Sequence, residues 1–153
     1  MRIHTTCGVP AHAPLLLVED SPEDREATLR AFRKASFRHD IVVCADGDDA
    51  LDYLYRRGKY HASAAPALIL LDLNMHGTDG REVLARVKAD PKLRTIPVVV
   101  LTTSTNRRDI ASSYHAGASS YVPKPLDMNE FVRTIEILKS WWFERIIPPP
   151  EPE

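Results

Sequence analysis

The sequence lacks the residues that a disulfide framework, a metal–thiolate site or a membrane anchor would need. Its 153 residues include only two cysteines, Cys7 and Cys44, and neither belongs to a CxxC pair or a Cys/His cluster. No apolar run approaches the roughly 20 residues of a membrane-spanning helix, and the amino terminus lacks the apolar core of a signal peptide. We therefore expect a reduced, cytoplasmic protein that does not bind a membrane.

An excess of one charge is also absent. The 20 lysines and arginines nearly balance the 21 acidic residues, so the formal net charge is -1. This balance gives no reason to expect nucleic acid as a partner. The length fits one domain. We predict a flexible lead over residues 1–13, the folded domain over residues 14–147 and an extended, proline-rich tail over residues 148–153.

Five short apolar runs alternate with five helical patterns along the chain. The runs cover residues 15–18, 41–44, 67–71, 98–101 and 121–122. They are continuous rather than alternating, which is typical of parallel strands buried on both faces. The first helical pattern opens with Ser21 and Pro22, a capping residue followed by a favoured first helical residue. The alternation predicts an α/β protein with a flavodoxin-like, doubly wound parallel sheet of strand order 2-1-3-4-5.

Polar residues follow four of these predicted strands. Glu19 and Asp20 follow the first strand, Asp72 follows the third, Thr102 ends the fourth, and Lys124 comes after the fifth. Because the carboxyl ends of parallel strands share one edge of a sheet, we expect these side chains in a single crevice. Taken singly, each could be a helix cap, a turn residue or a solvated side chain. Their joint occurrence in this order is what indicates a site.

The chemistry of these residues favours phosphoryl transfer with Mg2+. Three carboxylates in one crevice repel one another unless a cation joins them, and Mg2+ takes a few protein oxygens together with water. The predicted ligands are oxygens of four residues: Glu19 (through water), Asp20, Asp72 and Asn74 (backbone carbonyl). Asp72 would attack phosphorus as a carboxylate nucleophile, while Lys124 and Thr102 contact the phosphoryl oxygens.

These residues lie in segments that resemble the response regulator receiver family. The matching segments are residues 17–22, 70–80, 97–102, 117–118 and 121–125. The resemblance implies that Asp72 is the phosphorylation site, that Thr102 moves toward the phosphoryl group and that Tyr121 rotates inward with it. It also implies that the acids after the first strand bind the metal, and that Lys124 precedes a cis bond to Pro125.

The resemblance further implies a signalling protein rather than an enzyme, with only slow loss of its own phosphoryl group. The long segment 56–65 and the aromatic extension 141–148 resemble the small regulators that accompany bacterial phytochrome kinases. We therefore predict a stand-alone response regulator that accepts a phosphoryl group from a sensor histidine kinase, of bacteriophytochrome type, and signals through phosphorylation-dependent protein contacts. An intermediate phosphate carrier or a phosphate sink in a phosphorelay is the alternative.

The aromatic extension predicts an interface. Its apolar residues cannot all face the core of one small domain, and clustered exposed apolar residues mark contact surfaces. The residues concerned are Trp141, Phe143, Ile146 and Ile147. We predict a homodimer that uses this extension with the fourth and fifth helices and the fifth strand. The alternative is that the extension folds back on its own sheet.

Three other function classes fit the sequence less well. A dehalogenase-type phosphatase needs a DxD pair after its first strand, whereas here the candidate nucleophile ends the third strand and Asn74 replaces the second acid. A flavodoxin needs a Ser/Thr/Gly-rich loop after the first strand, where this chain has two acids that would repel a phosphate. A degenerate receiver used as a scaffold lacks some pocket residues, whereas all are present here.

Overall fold

The computed structural model describes residues 7–150, so the predicted lead and tail lie partly outside it, at residues 1–6 and 151–153. The strands are β1 (Leu15–Val18), β2 (Ile41–Cys44), β3 (Leu68–Leu71), β4 (Val98–Thr102) and β5 (Ser120–Pro123). The helices are α1 (Pro22–Lys34), α2 (Gly47–Leu54), α3 (Gly80–Ala89), α4 (Arg107–His115) and α5 (Met128–Leu138). A 3-10 turn, Gly58–Tyr60, follows α2, and a π-helical extension, Lys139–Arg145, continues α5. None of the helices in residues 7–150 is long and apolar enough to cross a membrane.

The five strands form one parallel sheet in the order β2-β1-β3-β4-β5, which confirms the predicted fold. Strands β1, β3 and β4 are buried along their whole length. Successive side chains point to opposite faces of the sheet, so each strand serves two cores. Leu16 and Val18 belong to the core beneath α2 and α3, while Leu15 and Leu17 belong to the core beneath α1 and α5.

Side-chain caps begin the helices at the carboxyl end of the sheet. Ser21 accepts a hydrogen bond from the backbone N–H of Asp24, and Asp79 accepts from the N–H groups of Arg81 and Glu82. These caps satisfy backbone donors that have no partner inside the helix. Each cap fixes the far end of the loop that follows β1 or β3, and these loops form the site.

The first and last segments that the structure describes meet at the opposite, amino end of the sheet. The backbone N–H of Gly8 donates to the carbonyl of Ile146, and the N–H of Val9 donates to the carbonyl of Phe143. Gly8 has a φ of +94°, and a Cβ there would lie 3.1 Å from the carbonyl oxygen of Phe143. Gly8 and Val9 are therefore bonded to the extension, whereas the flexibility predicted for the lead as a whole stays a prediction. Pro148–Pro150 form neither helix nor strand, as their composition predicts.

Candidate functional site

An acidic cluster lies at the carboxyl end of β1 and β3. Glu19 and Asp72 are buried, and Asp20 is partly exposed. One carboxylate oxygen from each of these three residues lies within 4.8 Å of the other two. The cause is the strand pairing: Val18 is in register with Leu71, and the N–H of Asp72 donates to the carbonyl of Val18 at 3.1 Å. The residues that follow these strands are therefore brought side by side.

Lys124 reaches this cluster from β5, two strands away. Its backbone N–H donates to the carbonyl of Thr102 at 2.8 Å, which places the lysine at the edge of the site. Its Nζ contacts Asp72 at 3.1 Å, Glu19 at 2.5 Å and Asp24 at 2.6 Å. The structure thus brings Lys124 together with the predicted acids, and it adds Asp24, which was not among the predicted site residues.

Burial and the neighbouring charges shift the pKa values of the residues in the cluster. The pKa of Glu19 is raised to about 7 in total: burial raises it most, the hydrogen bond from Lys124 lowers it, and the charge on Asp72 raises it. Burial alone would lower the pKa of Lys124, but hydrogen bonds to Asp24 and Glu19 and the charge on Asp72 raise it above its ordinary value. One ammonium group therefore serves three carboxylates, and the cluster favours an additional positive charge.

A divalent cation fits this arrangement. The three oxygens are close enough for one ion to contact all of them. Carboxylate oxygens are the ligands that Mg2+ and Mn2+ prefer. A bound cation would also favour the ionised form of Glu19, whose burial now disfavours it. Glu19, Asp20 and Asp72 are the residues that would hold the ion.

The loop after β3, residues 73–79, forms one wall of the site. The N–H of Asn74 lies 3.3 Å from Asp72 Oδ1, and the N–H of His76 donates to Asp20 Oδ2 at 3.0 Å. Gly80 closes the loop, because a Cβ at this position would lie only 2.0 Å from the carbonyl oxygen of Asp72. The loop is thus held close to the acids, and the role of the Asn74 carbonyl as a ligand stays a prediction.

The loop after β4, residues 103–106, forms the facing wall. Thr102 is buried, and its Oγ1 lies 3.4 Å from the backbone N–H of Ser104. The hydroxyl of Tyr121 donates to the carbonyl of Ser104 at 2.8 Å. Both residues predicted to act in the switch, Thr102 and Tyr121, therefore contact the same residue of this loop.

The bond between Lys124 and Pro125 is trans, and the chain between residues 7 and 150 contains no cis peptide bond. The predicted cis bond is therefore wrong for this structure. The trans form is the lower-energy isomer of an X–Pro bond by about 0.5–1 kcal/mol, unless surrounding contacts impose the other. Here the backbone N–H of Lys124 is already bonded to Thr102 and its side chain reaches the acids with the trans bond.

The structure separates the residues predicted for an interface. Trp141 is 55% exposed and Ile147 is 60% exposed, whereas Phe143 is only 3% exposed and Ile146 is intermediate. Phe143 packs against Phe37 and His39, with ring centroids 4.9 and 4.8 Å apart. Phe143 therefore belongs to the core and not to an exposed surface, because the extension folds back over the amino end of the sheet.

Sequence reasoning missed one further part of the site. Arg81, at the start of α3, donates to Asp109, in the first turn of α4, at 2.9 Å. Asp109 also accepts from the hydroxyl of Ser104 at 2.8 Å. Neither Arg81 nor Asp109 was among the predicted site residues. Only the spatial closeness of the two helix starts identifies the pair.

Comparison with known proteins places this geometry in a family. The model of the response regulator receiver domain matches residues 15–136. The chain belongs to the response regulator receiver family. Its members are signalling proteins of two-component systems, and the predicted family is confirmed.

Two relatives of this receiver are the response regulator Rcp1 and the phytochrome response regulator RcpA. The chain is 38% identical over 135 residues to the response regulator Rcp1 of Synechocystis sp., covering 88% of this chain and 92% of Rcp1. The crystal structure of the Mn(2+)-bound form of Rcp1 has a TM-score of 0.82 and covers 90% of this chain and 99% of that one. The structure of the phosphorylated cyanobacterial phytochrome response regulator RcpA has a TM-score of 0.81 and 39% identity, over 86% of this chain and 94% of that one.

A third solved structure is the bacteriophytochrome response regulator AtBRR. It has 44% identity and a TM-score of 0.73, and the match covers 87% of this chain and 96% of that one. The receiver described here is therefore similar to phytochrome response regulators in both sequence and fold. Response regulators of phytochrome systems work with sensor histidine kinases, and receiver domains bind Mg2+ or Mn2+ at an acidic pocket of this kind.

Proposed function

We propose that this receiver accepts a phosphoryl group on Asp72 from a sensor histidine kinase, in the presence of Mg2+. The observation that carries the proposal is the meeting of Asp72 with two further acids and Lys124 at one end of the sheet. Glu19 and Asp20 come from the loop after β1, Asp72 comes from the loop after β3 and Lys124 comes from the segment after β5. Their convergence from three separate segments supports a site for phosphoryl transfer. In a cell we expect the reaction in the cytoplasm, where both free cysteines stay reduced.

In the proposed step, an oxygen of Asp72 forms a bond to phosphorus while the bond from phosphorus to the kinase histidine nitrogen breaks. Bound Mg2+ would supply positive charge that offsets the acids and the phosphoryl oxygens. Lys124 already lies 3.1 Å from Asp72 and would transfer its hydrogen bonds to a phosphoryl oxygen. Thr102 would donate its hydroxyl to another of these oxygens.

The proposed partner is a phytochrome-type histidine kinase. The support is the similarity to Rcp1, RcpA and AtBRR, each matched over more than four fifths of this chain. The proposed output is a phosphorylation-dependent change in protein contacts, transmitted through Thr102 and Tyr121 to the surface of α4, β5 and α5.

The deciding experiment is phosphorylation by a small phosphodonor with Mg2+, followed by intact mass spectrometry. Wild type should gain one phosphoryl group, and Asp72→Asn should gain none. Asp52→Asn is the matched control, because the Asp52 side chain is half exposed and pairs only with Arg57 in the described residues. Failure of the wild type to gain a phosphoryl group, or equal labelling of Asp72→Asn, would overturn the proposal.

We also propose a homodimer, with a contact surface revised by the structure. Ile137, Trp141 and Ile147 are the exposed apolar residues of α5 and the chain that follows it. Ile137 and Trp141 line one shallow groove together with Arg133, Glu136, Ser140 and Arg145. The groove therefore combines apolar contact area with charges of both signs, which suits a second copy of the same surface.

Sedimentation at micromolar concentration tests the dimer. Trp141→Glu should lower the dimer fraction, since it places a charge in the apolar groove. Tyr55→Glu is the control, because Tyr55 is an exposed aromatic residue at the end of α2 and does not line the groove of Ile137 and Trp141. A wild type that remains monomeric with and without phosphorylation would contradict the dimer.

A further inference from the structure

A chain of polar contacts joins the two loops that flank Asp72. Arg81 Nη2 donates to Asp109 Oδ1 at 2.9 Å and lies 3.4 Å from Asn74 Oδ1. The other oxygen of Asp109 accepts from the hydroxyl of Ser104 at 2.8 Å. Arg81 therefore contacts the loop after β3, and through Asp109 it also holds the loop after β4.

The same chain continues at both ends into the site. The N–H of Asn74 lies 3.3 Å from a carboxylate oxygen of Asp72. The carbonyl of Ser104 accepts from the hydroxyl of Tyr121, and the N–H of Ser104 lies 3.4 Å from the hydroxyl of Thr102. The Arg81–Asp109 ion pair is thus a short connection between the nucleophile and the two residues of the proposed switch.

This pair differs from other ion pairs on the surface. Arg86 and Glu82, at 3.1 Å, join two positions of α3 itself and are both about half exposed. Arg81 and Asp109 join two different helices, and Asp109 is only 22% exposed. Hydrogen bonds from Arg81 and Ser104 hold the pKa of Asp109 below its usual range. Asp109 is therefore ionised at neutral pH, and both of its oxygens are occupied.

We propose that Arg81 and Asp109 are positioning residues. Their ion pair holds the loop after β4 in register with the loop after β3, so that Ser104 presents its carbonyl to Tyr121. By the same contact it keeps the two walls beside Asp72 together and limits the access of water to a phosphoryl group there. The role in protecting a phosphoryl group rests on the proposed function, whereas the role in placing Ser104 beside Tyr121 does not.

Loss of the pair has two expected consequences. The hydroxyl of Tyr121 loses a fixed acceptor, so the environment of its ring changes. The loops beside Asp72 separate more easily, so the phosphoryl group is lost faster. A partly exposed ion pair contributes on the order of 0.5–1 kcal/mol, which corresponds to about a two- to fivefold change in rate.

Four variants test the proposal. Arg81→Gln removes the positive charge of the ion pair, and Asp109→Asn removes its negative charge. Arg81→Lys keeps the positive charge and should recover part of the effect. Arg86→Gln is the matched control, since it also removes an arginine–carboxylate ion pair of α3, but one that joins two positions of that helix only. Two readouts are needed: the fluorine NMR signal of fluorotyrosine at position 121, assigned with Tyr121→Phe, and the rate of phosphoryl loss after labelling with a small phosphodonor and Mg2+.

Arg81→Gln and Asp109→Asn should each shift the Tyr121 signal in the unphosphorylated protein and speed phosphoryl loss about two- to fivefold, whereas Arg86→Gln should change neither. If wild type is phosphorylated and Arg81→Gln behaves like Arg86→Gln in both readouts, the pair has no positioning role. A change in only one readout would show that the ion pair does not couple the two loops. If wild type takes no phosphoryl group, the proposed function fails, and the Tyr121 signal alone decides the role of the pair. Should Arg81→Gln not fold, Asp109→Asn provides the same test.

Discussion

The two ends of the sheet have opposite physical characters. At the carboxyl end, three carboxylates share one ammonium group, and Glu19 is buried with a pKa raised to about 7. At the amino end, Phe143 packs with Phe37 and His39, and the backbone of the lead satisfies carbonyls of the extension. The first end retains charges that disfavour folding, and the second supplies apolar packing that favours it.

The difference shows where this receiver can change state. Buried like charges are costly unless a cation or another partner joins them, so the carboxyl end responds to what binds there. Close-packed rings at the amino end gain little from any ligand, and they limit movement of the extension. A signal received at Asp72 is therefore expected to move the loops after β3 and β4 before it moves the amino end.

The largest effect on the free energy of unfolding should come from a substitution at the amino end. Phe143→Ala should reduce the free energy of unfolding by about 3–5 kcal/mol, because it leaves a cavity among buried rings. Trp141→Ala, two residues away and exposed, should change it by less than about 0.5 kcal/mol. Urea denaturation of both variants measures the difference. Equal losses would mean that the extension does not form part of the core.

Substitution of a glycine at the carboxyl end should reduce the free energy of unfolding nearly as much. Gly80→Ala places a Cβ against the carbonyl oxygen of Asp72, and the forced shift should cost about 3 kcal/mol. Gly58→Ala is the control: its Cβ meets nothing within 4 Å, so only its positive φ is penalised, by about 1 kcal/mol. Thermal melting and phosphorylation of both variants test this. Normal labelling of a stable Gly80→Ala protein would show that the loop tolerates movement.

Addition of Mg2+ should raise stability through the carboxyl end alone. At a concentration about 100-fold above its dissociation constant, the ion should add roughly 2.7 kcal/mol to the free energy of unfolding. Asp20→Asn, which removes one carboxylate of the cluster, should lose most of this gain, whereas Trp141→Ala should keep it. Melting curves with Mg2+ and with a chelator measure the effect. If Asp20→Asn gains the same stability from Mg2+ as wild type, the ion binds at another place.

The smallest effect concerns thiol chemistry. Burial, followed by the charge of Asp49, raises the pKa of Cys44 to about 12, so its thiol stays protonated in mildly alkaline solution. Cys7 is exposed. A thiol reagent at about pH 8.5, near the pKa of a free cysteine, should modify Cys7 rapidly and Cys44 only after denaturation. Rapid modification of both cysteines in folded protein would indicate that β2 opens easily.

Local pattern was enough to predict most of the fold. Continuous apolar runs identified the strands to within one or two residues, because a strand buried on both faces admits few polar side chains. The cap residue Ser21 identified the start of α1, because it bonds to a backbone group only three residues away. Strand order followed from the alternation of strands and helices, and the order in turn predicted that Asp72 and Lys124 would meet.

Tertiary structure alone decided contacts between residues that share no local pattern. The Arg81–Asp109 pair joins positions 28 residues apart, and Asp24 reaches Lys124 across 100 residues. The burial of Phe143 depends on the meeting of the extension, the lead and the turn before β2, none of which shows a periodic pattern. Short-range hydrogen bonds and apolar periodicity are encoded within a few residues. Which side chains fill the remaining space depends on packing of the whole chain.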